Sequence, residues 1–426
     1  MHAMRTALAG ALLAVCAAPA LAGTVTVITS FPKDLTQAYK TAFEKANPGI
    51  TLEILNKNTV SGIAFVRETP AGQRPEVFWA SAPDAFEVLG RDKLLAKSAD
   101  IANKDVPDKI GSYPINDPGG MYLGQALAGY GIIYNDAIMR AYFALPNKAV
   151  KINSADEINN FATLKAVVED MQKNKAALGI QGVFASTSMA AGNAWRWETH
   201  LVNVPIYWEL REKNIPFGEK TRNFDFTYSA QMKNIFDLYL NNSTTAKGLL
   251  GAKSVDDAMA EFALGQAAMV QNGNWGASQI LGVKGNKVAD KDIKFMPIYT
   301  GVKGEEKIGL CVGGYLPPGG VTQFLTWLFS SPSGKAFVKN DLMFITPFNT
   351  FADNELPTDP LAKDVIRWMN KDGVTSLSWD FSIIPSKEWK NQMAAALGDY
   401  IAGRKSWNEV AAHGADVWKR EFDLTN

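Results

Sequence analysis

The chain opens with a strand, a helix and a second strand in close succession. Residues 24–29 consist of β-branched residues and predict a strand. Residues 33–46 repeat apolar side chains at helical spacing, and Asn47-Pro48-Gly49 ends that helix. Residues 50–55 form the second predicted strand. Such a unit requires a right-handed crossover between parallel strands, so it predicts an open α/β sheet that binds ligands beyond the carboxyl ends of its strands.

Length and charge limit the classes of protein that remain. The 426 residues exceed what one hydrophobic core usually supports, so two lobes are expected. The 43 basic residues are balanced by 43 acidic residues. A surface for nucleic acid or for an anionic membrane needs a basic excess, so we expect neither partner.

The first 22 residues have the organisation of a secretory signal. Arg5 precedes an apolar run over residues 7–18, and Ala20-Leu21-Ala22 forms a small-x-small cleavage site. The apolar run is shorter than the about 20 residues that span a membrane. Val15 stands where a lipidation signal needs a small residue, which argues against a lipid anchor on Cys16. Residues 1–22 are therefore predicted to be a cleaved signal peptide, and the mature protein is predicted to be periplasmic.

Few side chains of the remaining sequence suit metal or redox chemistry. Cys311 is the single cysteine after the signal, and His200 and His413 have no second candidate ligand at helical spacing. No metal site, cofactor or internal disulfide is therefore predicted. The sequence also lacks a Gly-x-Ser-x-Gly elbow and a phosphate-binding loop, so no enzyme active site is predicted.

Residues 189–208 are rich in aromatic side chains. Trp195 and Trp197 flank Arg196. This pattern fits a strand with the arginine outward or the start of a helix with both rings packed. Tryptophan faces also bind the apolar faces of sugars, while neighbouring polar side chains bond the hydroxyl groups. We therefore keep both packing and ligand binding as interpretations of these tryptophans.

A second aromatic feature ends the stretch from Glu261 to Trp275. Apolar residues recur at helical spacing up to Val270, which predicts a helix, and the polar residues from Gln271 to Asn274 predict a strand or a sharp turn that leads to Trp275. A tryptophan in that position either fills the core or presents its ring to a ligand.

Several motifs together resemble the extracellular solute-binding proteins of ABC importers. They are AFEKANPGI at 42–50, PEVFWAS at 75–81, and a pattern at 262–275 that resembles the carbohydrate-binding branch. In that branch a Phe, a Leu-Gly, an Ala-Ala-Met and a Gly-x-Trp recur in order, and they match Phe262, Leu264, Gly265, Ala267, Ala268, Met269, Gly273 and Trp275.

The resemblance implies a type II periplasmic-binding-protein fold of two α/β lobes. Each lobe would be an open mixed sheet flanked by helices, and crossing hinge segments would join them. The first lobe would comprise residues 23–133 with about 297–345, and the second about 134–296 with 346–426. The implied partners are a small-molecule solute, favouring a carbohydrate, and a membrane permease, and the chain would act as a monomer.

The resemblance also implies a set of ligand-binding residues from both lobes. The first lobe would supply Ser30, Phe31, Trp79 and Ser81. The second would supply Trp195, Trp197, Asn274, Trp275 and Trp389. Trp79 follows Phe78 on a strand, where neighbouring side chains point to opposite faces, so Trp79 either reaches the cleft or fills the core.

The resemblance is not uniform along the chain. Residues 23–135 look closer to members that bind ferric iron or small phosphorylated and phosphonate anions, whereas the later residues look closer to carbohydrate-binding members. The adjacent tyrosines that hold iron in the ferric branch have no match in the second lobe. Binding of iron or of a small anion is therefore the alternative function, and a carbohydrate-active enzyme is the third.

Overall fold

The chain folds into two α/β units, each built on its own sheet. The structure is a computed structural model that describes residues 23–30, 33–79, 84–96, 109–110, 113–114, 126–186, 188–189, 192–299, 308–315, 322–337, 339–340, 352 and 359–425. The strands are β1 (Gly23–Thr29), β2 (Ile50–Asn56), β3 (Val77–Trp79), β4 (Lys109–Ile110), β5 (Tyr113–Pro114), β6 (Ala126–Asn135), β7 (Gly182–Phe184), β8 (Ala267–Gly273), β9 (Ile293–Met296), β10 (Ile308–Tyr315) and β11 (Val374–Ser378).

Helices flank both sheets. They are α1 (Lys33–Ala46), α2 (Thr59–Glu68), α3 (Asp84–Arg91), α4 (Asp136–Phe143), α5 (Phe161–Lys173), α6 (Asn203–Glu212), α7 (Ser229–Asn241), α8 (Val255–Ala263), α9 (Gly276–Leu281), α10 (Thr322–Ser330), α11 (Pro332–Phe337), α12 (Pro360–Met369), α13 (Lys387–Ile401) and α14 (Trp407–Thr425). A π-helical turn spans Arg196–Leu201, and short 3-10 turns span Ala71–Gln73, Ala155–Glu157, Lys247–Ala252 and Asp290–Asp292.

The first unit, which we call the first lobe, is the sheet β2-β1-β3 with the helices packed on it. Its strands are parallel, with Gly23 opposite Ile50 and Thr29 opposite Trp79. Because successive side chains of β1 point to opposite faces, Val27 joins one buried cluster and Ile28 joins another. The sheet is therefore covered on both faces, as parallel sheets usually are. The β-α-β opening predicted from the sequence is confirmed, including the bounds of α1.

Helices from late in the chain complete the first lobe. The rings of Phe324 and Trp327 on α10 pack against Phe43 of α1, with ring centroids 5.2 and 5.4 Å away. Phe337 of α11 packs against Tyr39 at 4.3 Å. The chain therefore returns to its first sheet after forming most of the second.

The second unit, which we call the second lobe, is a mixed sheet of order β11-β10-β6-β8-β7, with β9 also paired to β6. Strand β6 is antiparallel to β8, β9 and β10, whereas β7 is parallel to β8 and β11 is parallel to β10. Strand β8 is buried along its whole length. The predicted helix up to Val270 is therefore wrong: α8 ends at Ala263, and Gly265 makes a left-handed turn (φ 71°) into β8.

The lobe boundaries implied by the resemblance remain a proposal. The segment from about 297 to 345 contains β10, which pairs with β6 in the second sheet, and also α10 and α11, which pack on the first lobe. One connection between the units, from β10 to α10, therefore lies within this segment. None of the described helices is long and apolar enough to cross a membrane.

Candidate functional site

A cavity of about 350 Å³ opens between the two lobes. The first lobe contributes Asn58, Val60 and Ser61 at the start of α2. The second lobe contributes ten residues: Gly192, Ala194, Trp195, Glu198, Ile384, Ser386, Lys387, Lys390, Asn391 and Ala394. Apolar surface with a few polar and charged groups at this size is typical of a pocket for a small molecule.

The first-lobe wall is held in place by a helix cap. Asn58 precedes α2, and its side-chain oxygen accepts a hydrogen bond from the amide nitrogen of Ser61 at 2.9 Å. Asparagine at this position satisfies an amide that the first helical turn leaves unpaired. The side chains of Asn58 and Ser61 remain exposed beside the cavity.

Trp195 forms the aromatic part of the second-lobe wall. Its ring is partly exposed, and the guanidinium carbon of Arg196 lies 4.0 Å from the ring centroid. The π-helical turn begins immediately after it, a local geometry that often occurs at functional sites. Residues two apart on a helical turn face different directions, so Trp195 faces the cavity whereas Trp197 turns into the core.

A carboxylate and an ammonium group face the same cavity. Burial raises the pKa of Glu198, while the hydrogen bond from the Thr199 hydroxyl and the charge of Lys390 lower it. Glu198 lies in the π-helical turn and Lys390 in α13. The wall therefore places a hydrogen-bond acceptor and a hydrogen-bond donor beside an aromatic face.

Trp275 lies next to Trp195 without lining this cavity. Its ring folds back over Gly273, where a β-carbon would come within 2.2 Å of the ring. The centroids of Trp195 and Trp275 are 6.4 Å apart, and Trp275 is partly buried. Gly273 is therefore required by the position of the ring, which explains the Gly-x-Trp spacing in physical terms.

An aromatic group surrounds His200 behind these two tryptophans. The imidazole stacks on Tyr130 with centroids 4.3 Å apart, and it contacts Trp195, Trp275, Trp379 and Phe381. Burial and the nearby positive charge of Arg196 hold its pKa well below the ordinary value. His200 is therefore a neutral packing residue at physiological pH.

Four of the predicted ligand-binding residues are buried in the described structure. Trp79 packs edge-on against Tyr39 with centroids 5.1 Å apart, and Trp197 packs against Phe236 at 4.9 Å. Trp389 is fully buried and donates its Nε1 hydrogen to the Gly414 carbonyl at 2.8 Å. For these three tryptophans the structure favours core packing over the predicted ligand stacking, because a closed core leaves no ring face accessible.

Asn274, also among those four, has a structural role next to β6. Its side-chain oxygen accepts a hydrogen bond from the backbone amide of Gly129 at 3.0 Å, and the backbone amide of Asn274 donates to the Gly129 carbonyl at 3.0 Å. The side chain is fully buried, so Asn274 fixes the turn that carries Trp275. Ser30 is partly buried at the end of β1, whereas the predicted residues Phe31 and Ser81 lie outside the described residues.

A second cavity of about 430 Å³ adjoins the first along α2, and Val60 lines both. Arg67 and Arg91 line it from the first lobe and Lys220 from the second, together with the carboxylates Glu68 and Glu219. Arg91 reaches across to the second lobe and donates to the Phe217 carbonyl at 3.0 Å. Burial and the charge of Arg67 lower the pKa of Lys220, and Arg67 itself pairs with Asp92 at 2.6 Å, so cationic and acidic groups are mixed at this end of the cleft.

Metal ligation has no support in the part of the chain that the structure describes. No group of three or more His, Cys, Asp or Glu side chains in the described ranges is close enough to hold an ion.

Three cavity-lining residues, one in the α2 cap and two on α13, were not predicted from the sequence. Asn58, Lys390 and Asn391 line the cavity, but none belongs to a motif with recognisable spacing. The asparagine before the helical run at 59–68 is a cap signal that could have located Asn58 at the amino end of α2.

Two α/β lobes with a lined cavity between them define a ligand-binding protein of the type II periplasmic-binding fold. The chain belongs to the bacterial extracellular solute-binding protein family, whose sequence profile matches residues 27–335. This confirms the family resemblance, and the match spans both sides of residue 135. Among curated proteins, no sequence matches the chain significantly.

Solved structures of sugar receptors have the same fold. A chitin oligosaccharide binding protein superposes with a TM-score of 0.64 at 15% identity, covering 94% of this chain and 99% of that one. RafE in complex with raffinose gives 0.62 at 15% identity over 94% and 100% of the two chains. The acarbose-binding GacH receptor of Streptomyces glaucescens gives 0.60 at 15% identity over 95% and 100%. These similarities confirm the predicted two-lobe α/β fold.

Proposed function

We propose that the protein is the sugar-binding component of an ABC importer, which captures a mono- or oligosaccharide between its lobes and delivers it to a membrane permease. The observation that carries the proposal is the interlobe cavity in which the ring of Trp195 lies beside Glu198 and Lys390. A ring face binds the apolar side of a sugar, while the charged groups accept from and donate to its hydroxyls. The sugar ligands of the structural relatives support the same class of solute.

Capture requires that both lobes contact the ligand. A ligand shifts an open-closed equilibrium only by binding the closed state more tightly. Asn58 and Ser61 supply polar contacts from the first lobe, opposite the aromatic wall of the second. The proposed mechanism is therefore hinge closure over the solute, without chemical change to it, by an exported monomer located in the periplasm after removal of residues 1–22.

The binding experiment is a titration of the mature chain with neutral saccharides, followed by tryptophan fluorescence and calorimetry. We expect saturable binding of at least one saccharide, with a fluorescence change because Trp195 is at the cavity. Recovery of the saccharide unchanged after prolonged incubation would support a receptor, and products of hydrolysis would contradict it. The absence of binding across neutral mono- and oligosaccharides would reject the sugar proposal.

A small anionic solute is the second candidate function. Arg91 and Lys220 in the second cavity favour it, beside the carboxylates Glu68 and Glu219 of the same lining and the ion pair of Arg67 with Asp92 at 2.6 Å. Titration with inorganic phosphate and a simple phosphonate would distinguish the two. Binding of either anion that is lost in Arg91→Gln, without binding of neutral sugars, would replace the sugar proposal with the anion proposal.

A further inference from the structure

A small cavity lined by Arg196 lies in the second lobe. It leaves about 10 Å³ for the centre of a water-sized particle, which is room for about one such particle. Polar side chains from four separate parts of the chain line it: Ser188, Arg196 and Trp197, Tyr239, and Gln271. Each of these residues is at most 5% exposed, so bulk water does not reach their polar atoms.

Each of these five residues directs an unsatisfied polar atom into the protein interior. The atoms are Ser188 Oγ, Arg196 Nη1, Trp197 Nε1, Tyr239 Oη and Gln271 Oε1, and none has a hydrogen-bond partner among the described residues. Leaving a buried polar atom unpaired costs about 1–3 kcal/mol. All five residues that carry these atoms line one cavity, and a particle bound there would satisfy several of the atoms together.

The donor and acceptor count indicates the kind of particle. Arginine and tryptophan nitrogens only donate, and the two hydroxyls can donate, whereas Gln271 Oε1 only accepts. The Gln271 amide orientation is set because its Nε2 donates to the Tyr130 hydroxyl at 2.8 Å and to the Arg196 carbonyl at 3.3 Å. Arg196 Nη1 and Trp197 Nε1 can only donate, so the bound particle must accept at least two hydrogen bonds, whereas the hydroxyls of Ser188 and Tyr239 can donate or accept.

The buried charge of Arg196 favours an anion over a water molecule in this cavity. Among the described residues no carboxylate forms an ion pair with Arg196; its Nη2 donates only to the neutral Asn272 side chain at 3.2 Å. Burial lowers the pKa of Arg196 to about 10, and Tyr130 and Asp256 offset part of that effect, so the guanidinium stays charged at neutral pH. A buried charge without an ion-pair partner costs several kcal/mol, and an anion offsets more of that cost than a neutral water does.

We propose that this cavity binds a monatomic anion of the size of chloride, held by Arg196 Nη1, Trp197 Nε1 and the Ser188 hydroxyl. The Tyr239 hydroxyl donates either to the anion or to Gln271. The site lies outside the interlobe cleft and takes an inorganic ion rather than the transported solute.

The anion also has a consequence for the cleft. The guanidinium that would hold it lies 4.0 Å from the Trp195 ring centroid, so the anion fixes the surface on which that ring rests. By fixing that surface, the anion should strengthen ligand binding in the cleft. Because coupling between two sites is reciprocal, the cleft ligand should strengthen anion binding equally. This last step rests on the proposed sugar function, whereas the anion site itself does not.

The test compares thermal unfolding of the mature chain in sodium chloride and in sodium gluconate at equal ionic strength. Gluconate is too large for the cavity, so we expect a saturable increase in melting temperature of about 2 °C or more in chloride alone. Crystals grown in sodium bromide should show an anomalous peak within hydrogen-bond distance of Arg196. Neither measurement needs a saccharide, so a failed sugar proposal would not affect the result.

Variants assign the effect to the cavity. Trp197→Phe keeps the ring but removes one donor and should weaken the chloride dependence, and Arg196→Met should abolish it. Arg222→Gln removes an equal charge from a surface pair with Asp423 and should leave the dependence unchanged. Equal melting temperatures in the two salts, or a water at the site with no bromide signal, would overturn the proposal.

Discussion

Tryptophans of the second lobe lie in two environments, the interlobe cleft and the hydrophobic core. Trp195 is partly exposed in the interlobe cavity, whereas Trp389 is fully buried between α13 and α14 with its Nε1 hydrogen bonded to Gly414. A ring in the core contributes packing energy, and only the accessible ring can exchange water for a ligand. Tryptophan content alone therefore does not locate a ligand-binding site.

The carboxyl groups of Glu198 and Asp359 likewise differ in location, one in the cleft and one in the core. Burial raises the pKa of both Glu198 and Asp359. Glu198 lines the cleft, whereas Asp359 is 2% exposed and accepts a hydrogen bond from the Leu361 amide at 2.7 Å as the cap of α12. Protonation of the first should alter ligand binding, and protonation of the second should alter stability.

The largest expected effect is the loss of the core ring. Trp389→Ala should lower the free energy of unfolding by about 3–5 kcal/mol, because it leaves a cavity and an unpaired Gly414 carbonyl. Urea denaturation measures the loss, and saccharide affinity of the folded fraction should stay unchanged. Trp389→Phe, which keeps most of the volume, should cost less. A selective loss of affinity with full stability would place Trp389 in the site after all.

The next effect concerns the core carboxyl. Burial raises the pKa of Asp359 from 3.8 to about 7. Between these values the folded protein keeps a proton that the unfolded chain releases, so stability is fully present below about pH 4 and falls as pH rises through 7. The loss approaches about 4 kcal/mol.

Asp359→Asn should remove this pH dependence, because asparagine resembles the protonated acid and can still accept from Leu361. Urea unfolding at a series of pH values measures it. The surface variant Asp423→Asn serves as the control that keeps the slope. An unchanged slope in Asp359→Asn would show that the buried carboxyl does not titrate as inferred.

The cleft ring should have a smaller effect, confined to binding. Trp195→Ala should weaken saccharide binding by roughly 1–3 kcal/mol, from lost stacking and apolar burial, with little change in stability. Calorimetry measures the affinity. Trp208, which is partly exposed on α6 and does not line either cleft cavity, gives the matched control Trp208→Ala. Equal affinities in Trp195→Ala and the parent would remove this ring from the site.

The smallest effect belongs to the cleft carboxyl. As the pH is lowered, Glu198 takes up a proton more readily than a free carboxyl does because burial has raised its pKa, and it loses strength as an acceptor for a sugar hydroxyl. Affinity should decrease by about tenfold or less as the pH is lowered. Glu198→Gln should bind with a flat pH profile, measured by the same calorimetry. A parent profile that is already flat would exclude this contact.

The opening of the chain was predictable because local and tertiary preferences agree there. An apolar stripe at helical spacing and an Asn-Pro-Gly stop define α1, and β-branched residues define β1, so the predicted bounds match the structure closely. The family and the two-lobe fold were likewise recognisable, because some motif residues are required by the backbone conformation. Gly273 is the clearest case, since only glycine leaves room for the Trp275 ring.

The stretch at 267–273 shows where periodicity fails. Strand β8 is an interior strand of its sheet and buried along its length, so residues 267–270 are apolar without alternation, and the polar residues Gln271 and Asn272 that follow are buried as well. A short apolar run of this kind is compatible with a helix or a strand. Pairing with β6 and β7, which are far away in sequence, decides the outcome.

The fold class, the family and the candidate tryptophans could be identified from the sequence alone, because they follow from local patterns and backbone requirements. Which rings face the cleft was decided only by the tertiary structure. Trp195 and Trp197 are two residues apart, yet one lines the cavity and the other packs on Phe236. The reason is physical: side-chain accessibility depends on the elements packed around it, and those come from distant parts of the chain.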